Sequence, residues 1–267
     1  MGAVAMCIAK SVGLGARNDV ADVRIVQVLL NMNSEAWSGA ALKQLGVDGQ
    51  IGPNTIDAIR AFETQAMGLP ESDGLVTPGD ATMTRLLAGL PPGATKEKLG
   101  IVMPRAMQKR IDLYFEPLVK GMTRYGIDTP RQIAHFIAQL AHESGSLLYS
   151  EELASGNAYD GRTDLGNTEP GDGPRFKGRG LIQLTGRNNY RDYSKFTGTD
   201  YISDPTQLAQ DPFACVDVAC WFWKTRGIGP LAEADDAKAV TKRINGGYNG
   251  LDDRLEHLAR AKALLGL

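Results

Sequence analysis

Glu143, in the run Ala141-His142-Glu143-Ser144-Gly145, is followed nine residues later by Glu152 and then by Gly178-Arg179-Gly180-Leu181-Ile182-Gln183-Leu184-Thr185. Two carboxyl groups and a polar segment from separate places in the chain are the parts that acid/base cleavage of a sugar–sugar bond needs. One carboxyl protonates the leaving oxygen and the other activates a water.

Both carboxyls need elements that hold them. Ile133, Phe136, Ile137, Leu140 and Ala141 recur at helical spacing, which predicts a helix over 131–144 with one core-facing stripe. Glu143 falls beside Phe136 on the flank of that stripe, and His142 falls on the opposite face. Partial burial there disfavours the charged form and keeps a proton on the group near neutrality, as a general acid requires. The alternative is a plain residue at a helix end. A carboxylate at the negative end of a helix dipole is a poor structural choice, which argues for a role. Gly145 is expected to end the helix. Glu151 and Glu152 lie in the polar stretch 150–157, which reads as a loop; a solvated carboxylate there stays ionised and can accept a proton from water. Either glutamate could be that base, or the two could be a solvated surface pair.

Residues 181–185 read as a strand, with Gln183 and Thr185 on one face and Ile182 and Leu184 in the core. Gly178 and Gly180 permit close backbone approach just before it. Five basic residues (Arg175, Lys177, Arg179, Arg187, Arg191) and no acidic one fall between 175 and 191, a segment that either attracts an anionic polymer or is a solvated loop. Asn245 in Ile244-Asn245-Gly246-Gly247 reads as a helix end followed by a tight turn. Trp221-Phe222-Trp223 could stack on sugars, but aromatics within a helix are more often core.

The chain has 267 residues, 43% hydrophobic and 22% charged, with a formal net charge of -2. That is the composition of a soluble globular protein of one or two domains, without the basic footprint of a nucleic-acid binder. Cys7, Cys215 and Cys220 are an odd number without C-x-x-C spacing and are read as reduced thiols. The residue four after His142 is Ser146, so H-E-x-x-H is not present; His135 and His257 show no ligand spacing relative to it. No metal or cofactor is expected, nor is there a P-loop or G-x-G-x-x-G. The apolar stretch from Gly2 to Ala9 is short and has no basic residue before it, so no signal peptide is expected, and no run reaches transmembrane length.

Asp48-Gly49-Gln50-Ile51-Gly52-Pro53 is echoed by Asp73-Gly74-Leu75-Val76-Thr77-Pro78, each an Asp-Gly turn leading to a proline at a first helical position. The helices they open carry Ile56, Ile59 and Phe62, then Met83, Leu86 and Leu87. An earlier helix carries Val23, Val26 and Leu30, with Asp19 or Asp22 as N-cap. Leu90-Pro91-Pro92-Gly93 reads as a stiff exposed linker. The domains are therefore drawn as 10–90, a linker 91–97, and 98–267.

The first half, through V-R-x-V-Q-x-L-L-N and V-D-G-x-x-G-P-x-T-x-x-A-I, resembles the small three-helix peptidoglycan-binding domain of cell-wall hydrolases, with a longer connection over Glu35–Leu45. The second half resembles glycoside hydrolase family 19, chitinases and phage endolysins among its members. The matching blocks are 141–145, 149–152, 176–185, 188–190, 221–223 and 244–247. The implied fold is mainly α: a small three-helix wall-binding domain linked to a larger α-helical lysozyme/chitinase-like domain with a few short strands. The resemblance implies Glu143 as general acid, Glu152 as general base with inversion, and Thr185 holding the attacking water. It also implies substrate contacts at Gln183, Asn189, Tyr190, Asn245 and Arg254, the last matching a family arginine near the catalytic acid.

The function so implied is an endolysin cutting the β-1,4 bonds of peptidoglycan, of N-acetylmuramidase type. The alternatives are a chitinase acting on N-acetylglucosamine polymers and a non-catalytic wall-binding protein. The expected partner is the peptidoglycan glycan strand, with no nucleic acid and no stable membrane association, and a monomer is expected. Such a lysin would stay in the host cytoplasm until released to the wall through a holin-type pore.

Overall fold

The computed structural model describes residues 7–37 and 44–267. Most of the Glu35–Leu45 connection and of the apolar N-terminal stretch lies outside the described residues. The chain is mainly helical and forms two compact units, one of residues 1–104 with 258–267, the other of residues 105–257.

The first unit contains helices α1 (Val20–Met32), α2 (Pro53–Ala61), α3 (Ala81–Ala88) and α4 (Lys96–Val102). It also has a two-stranded antiparallel ribbon of β1 (Val12–Gly13) and β2 (Leu75–Val76). Val23, Val26, Leu29 and Leu30 of α1 are buried against the other elements, as their spacing requires. Two polar residues of α1 tie down neighbouring loops. Gln27 is buried; its amide donates to Asp48 Oδ1 at 2.9 Å, and its carbonyl oxygen accepts the Gly49 N–H at 3.0 Å. Gly49 has φ +76°, so the Asp-Gly turn is closed by a side chain as well as by its glycine. Asp22 is buried and accepts the N–H groups of Ala9 and Lys10. It is therefore no helix cap; Asp19 holds the cap position, its side chain accepting from Arg17 and not from the helix backbone.

The two Asp-Gly repeats diverge where their helices begin. Pro53 is at the first position of α2 as expected, but α3 starts after a turn at Pro78-Gly79 and is capped by Asp80, whose carboxylate accepts the Met83 N–H at 2.6 Å. Nor does 91–97 separate the units. Lys98, buried in α4, donates to the carbonyls of Pro91 and Gly93 at 2.5 and 2.9 Å, fastening that segment within the first unit, and the division falls at 104/105.

The second unit is built on α5 (Gln108–Tyr125), α6 (Pro130–Glu143), α7 (Arg187–Thr197), α8 (Pro212–Thr225) and α9 (Ala237–Asn245). The early part of α10 (Leu251–Leu264) completes it. α5 and α8 run against each other, and they approach closely because Gly121 faces Val216 and Cys220: a Cβ there would meet both side chains at 3.0 Å. α6 is buried on all sides from Ala134 to Ala141, not along a single stripe. Its polar residues are paired accordingly, His135 with Asp235 at 2.9 Å and Gln139 with Thr241 at 3.4 Å. Trp221 and Trp223 are core residues, and Trp223 packs edge-on to Phe136 with ring centroids 5.3 Å apart. The three cysteines are buried free thiols.

Replacing Gly121 with leucine should overpack the α5–α8 contact and cost about 1–3 kcal/mol. A thermal unfolding scan of the full chain should show a lowered midpoint for the second unit, and an unchanged midpoint would mean the helices can spread.

Candidate active site

Glu143 is the last residue of α6, which starts at Pro130 behind the Thr129 cap and stops where Ser144 takes over. Beyond it the chain turns through three left-handed residues, Gly145, Ser146 and Leu147, at φ +57°, +59° and +65°. Ser144 braces this turn: its hydroxyl donates to Leu140 O and accepts the Leu147 N–H, at 2.6 and 2.8 Å. The turn delivers residues 150–152 to an antiparallel contact with 178–180, in which Gly180 N donates to Ser150 O and Glu152 N to Gly178 O, both at 2.9 Å.

The Glu143 side chain is 16% exposed, and its Oε1 accepts from Arg254 at 2.5 Å. Arg254 itself is fully buried; it also donates to Gln139 Oε1 and to the Asn249 carbonyl. Glu143 is thus not simply a carboxyl against apolar neighbours, since a buried guanidinium is paired with it. Arg254 lies against Glu143, the place the resemblance implies for it, but it is enclosed behind that carboxylate and is no sugar contact.

The two candidate bases have different surroundings. Glu151 is bound to the buried Arg179, with Nε and Nη2 both 2.9 Å from Oε1, and to Lys177 at 3.5 Å. Glu152 meets no guanidinium in its hydrogen bonds: Oε1 accepts from Tyr159 Oη at 3.1 Å and Oε2 from the Gly178 N–H at 3.2 Å. Glu151 is committed to structure, and Glu152 is held by one hydroxyl and one amide, which leave lone pairs for a water. Tyr159 is raised above the ordinary phenol range, by burial first and then by its bond to Glu152, so it remains a donor.

Residues 181–185 do not form the expected strand. Arg179 and Leu184 pair across a tight hairpin whose loop is 180–183, with Gln183 at φ +56° donating from its backbone N–H and its side-chain amide to Gly180 O. The alternation of polar and apolar residues hid a turn that Gly180, at φ +75°, makes possible. The hairpin still assembles the polar residues. A Cβ on Gly178 would lie 2.9 Å from Gln183 Oε1 and 3.3 Å from Glu152 Oε2, so these two side chains approach over a bare backbone. Thr185 Oγ1 donates to Gln183 O at 2.8 Å, and Asn189 donates to Thr185 O at 2.7 Å while accepting from Arg226 at 3.3 Å. Gln183, Thr185 and Asn189 are therefore linked by hydrogen bonds, and Gln183 lies beside Glu152 across Gly178. Asn245 is exposed at the end of α9, before the left-handed Gly246.

Tyr190 departs from the expected substrate contact. It is fully buried, and its hydroxyl donates to Lys177 O at 2.8 Å and accepts from Arg179 at 3.3 Å, so it supports the backbone behind Glu151 and Glu152. Four residues of the basic segment are engaged within the protein, while Arg191 stays exposed beside Asp192. Arg175 binds the carbonyls of Ile202 and Ser203, Lys177 those of Glu152 and Ala154, and Arg187 clamps the buried Asp172. Arg175 and Arg191 remain exposed, so the segment keeps part of its charge at the surface. Sequence reasoning missed Gln139, Tyr159 and the Gly178 amide. Gln139 lies four residues before Glu143, on the same helix face, and that spacing could have disclosed it.

Tyr190→Phe should lower stability by about 1–2 kcal/mol, through the stranded Lys177 carbonyl, and leave KM unchanged. Urea unfolding alongside Michaelis kinetics checks both, and a several-fold rise in KM would restore Tyr190 as a substrate contact. Asp172 is held below the usual carboxylate range by its hydrogen bonds from Arg187, against the effect of burial. Its contribution is complete above the unfolded value near 3.9 and is lost as pH falls through the lower folded value. Asp172→Asn should therefore be less stable than the parent at pH 7, with the gap closing in acid melts.

The family model described as class I chitinase, glycoside hydrolase family 19, matches residues 121–235. A Haemophilus influenzae protein described as a glycosyl hydrolase family 19 domain-containing protein is 32% identical over 171 residues, covering 52% of this chain and 83% of that protein. An endochitinase of Arabidopsis thaliana is 38% identical over 122 residues, 46% of this chain and 42% of the plant protein, so the chain spans less than half of that relative. Among solved structures, chitinase C from Streptomyces griseus matches with a TM-score of 0.55 at 19% identity, over 73% of this chain and 82% of that one; this likeness concerns the fold alone. With the Haemophilus protein matched over most of its length, the chain belongs to glycosyl hydrolase family 19 and is a glycoside hydrolase.

Proposed function

We propose that the chain is an endolysin-type enzyme that hydrolyses the β-1,4 bond between N-acetylmuramic acid and N-acetylglucosamine in peptidoglycan, with inversion. The observation that carries this reading is the unequal setting of two carboxylates, Glu143 against a buried guanidinium and Glu152 against an amide and a phenol. In the reaction Glu143 gives its proton to the glycosidic oxygen as the C1–O bond breaks. The carboxylate left behind is already paired with Arg254, so the charge created in the step is met where it forms. A water on the opposite face attacks C1 and passes its proton to Glu152. Room for that water corresponds to a carboxyl separation of roughly 6.5–9.5 Å in inverting enzymes. Thr185, Gln183 and Asn189, linked to one another beside Glu152, are the groups that would hold the water and the sugar.

The choice of peptidoglycan rests on the likeness of the first half of the chain, with its Gln27-locked Asp-Gly turn, to wall-binding domains. In this reading the protein reaches the wall from the host cytoplasm through a pore made by another protein. A chitin substrate is the second reading, favoured by the relatives named as endochitinases.

Digestion of purified sacculi and of an N-acetylglucosamine hexamer, with products identified by mass and anomers followed by proton NMR, tests both. The expected result is release of fragments with new N-acetylmuramic acid reducing ends, first formed as the α-anomer. Cleavage of the hexamer alone would establish the chitinase reading, and β-anomers would overturn inversion. Glu143→Gln should lower the rate by about 10²–10⁴-fold, because an amide supplies no proton.

A further inference from the structure

We propose that His142 and Asp253 are positioning residues for the catalytic acid, seating the start of α10 so that Arg254 is presented to Glu143. This inference rests on the assignment of Glu143 as the acid.

Sequence neighbours on two elements pair one for one. His142 Nδ1 is 2.7 Å from Asp253 Oδ2, and Glu143 Oε1 is 2.5 Å from Arg254. The His142 ring also occupies the place of a side chain at Gly250: a Cβ there would lie 2.0 Å from its Cε1 and 2.3 Å from its Nε2. Gly250, at φ +69°, stands directly before α10, and its carbonyl accepts the Arg254 N–H at 3.0 Å. One imidazole thus holds the backbone of Arg254 twice, by packing on the residue whose carbonyl Arg254 bonds and by a hydrogen bond to the residue beside it. A guanidinium aimed along a long side chain depends on where its Cα sits, and a displacement of about 1 Å in a catalytic group can cost on the order of 100-fold in rate.

Asp253 is suited to this as an anion. Burial alone would raise it, but the hydrogen bond with His142 and the charges of His257, His142 and Arg105 together hold it below the ordinary carboxylate value. His257 Nε2 lies 3.6 Å from the same oxygen. The charged groups around the pair are therefore His257, Arg105, Arg254 and Glu143. The attachment is complete while Asp253 is ionised and loosens as pH falls through its lowered folded value.

The test is steady-state kinetics of the full chain on whichever of sacculi or N-acetylglucosamine hexamer it cleaves, across pH, with folding checked by thermal melts. Asp253→Asn keeps size and an acceptor oxygen. It should lower kcat at neutral pH about tenfold with KM within about twofold, roughly 1.4 kcal/mol of transition-state stabilisation. A purely structural pair would shift the melting point and leave kcat at neutral pH alone. If Asp253→Asn does not fold, His142→Gln, which retains a donor, takes its place with the same expectation. Parent-like kcat in a folded variant, with Glu143→Gln inactive, overturns this inference and spares the acid assignment. An active Glu143→Gln overturns the reading beneath it.

Discussion

A guanidinium with 1% of its surface exposed is the constraint around which the second unit is arranged. Arg254 cannot shed its charge, so burying it requires partners on several nitrogens. It finds them in Gln139, in Glu143 and in the carbonyl of Asn249. Two of the three are on α6, one helical turn apart, and the third lies in the loop that opens α10. The pairing also answers a local problem of α6. A carboxylate on its last residue meets the negative end of the helix dipole, and the Arg254 cation offsets that repulsion.

The second carboxylate is controlled by opposite means. Glu151 and Glu152 are adjacent, and adjacent residues in an extended segment point to opposite sides. Their antiparallel contact with 178–180 turns Glu151 towards Arg179 and leaves Glu152 over Gly178. One local geometry thus makes one glutamate a structural anion and frees its neighbour. Tyr190, which donates to Lys177 O and accepts from Arg179, supports the piece of backbone that enforces the distinction.

Much of this was legible in the sequence, and the failures have identifiable physics. Helical spacing located α1 and α6, and the sequence blocks picked out both carboxylates, because these signals are local. The helix wheel gave α6 one buried stripe, since a wheel cannot register elements that arrive from far along the chain; Arg254 lies 111 residues after Glu143. Alternation over 181–185 imitated a strand, as a positive φ at Gln183 leaves no mark on the pattern of polarity. Five basic residues within 175–191 read either as a surface for anions or as a solvated loop, and composition does not say which cations face solvent and which a carbonyl. Asp22 read as a possible helix cap and Gln27 only as one position of a motif, because their loop partners lie 13 and 22 residues away.

The left-handed residues after Glu143 make a related point. Ser146 and Leu147 each carry a Cβ in a conformation that costs roughly 1–2 kcal/mol per residue. Leu147 is fully buried, which recovers about 1.5–3 kcal/mol, and Ser144 bonds the turn from both sides. The strain is therefore held in place by packing beneath it. A helix that ended more gently would carry the chain away from α6 over several residues. This reversal lets only eight residues separate the carboxyl paired with a guanidinium from the one paired with an amide. The two chemical environments differ because the chain turns sharply between them, and the core under Leu147 is what makes so sharp a turn stable.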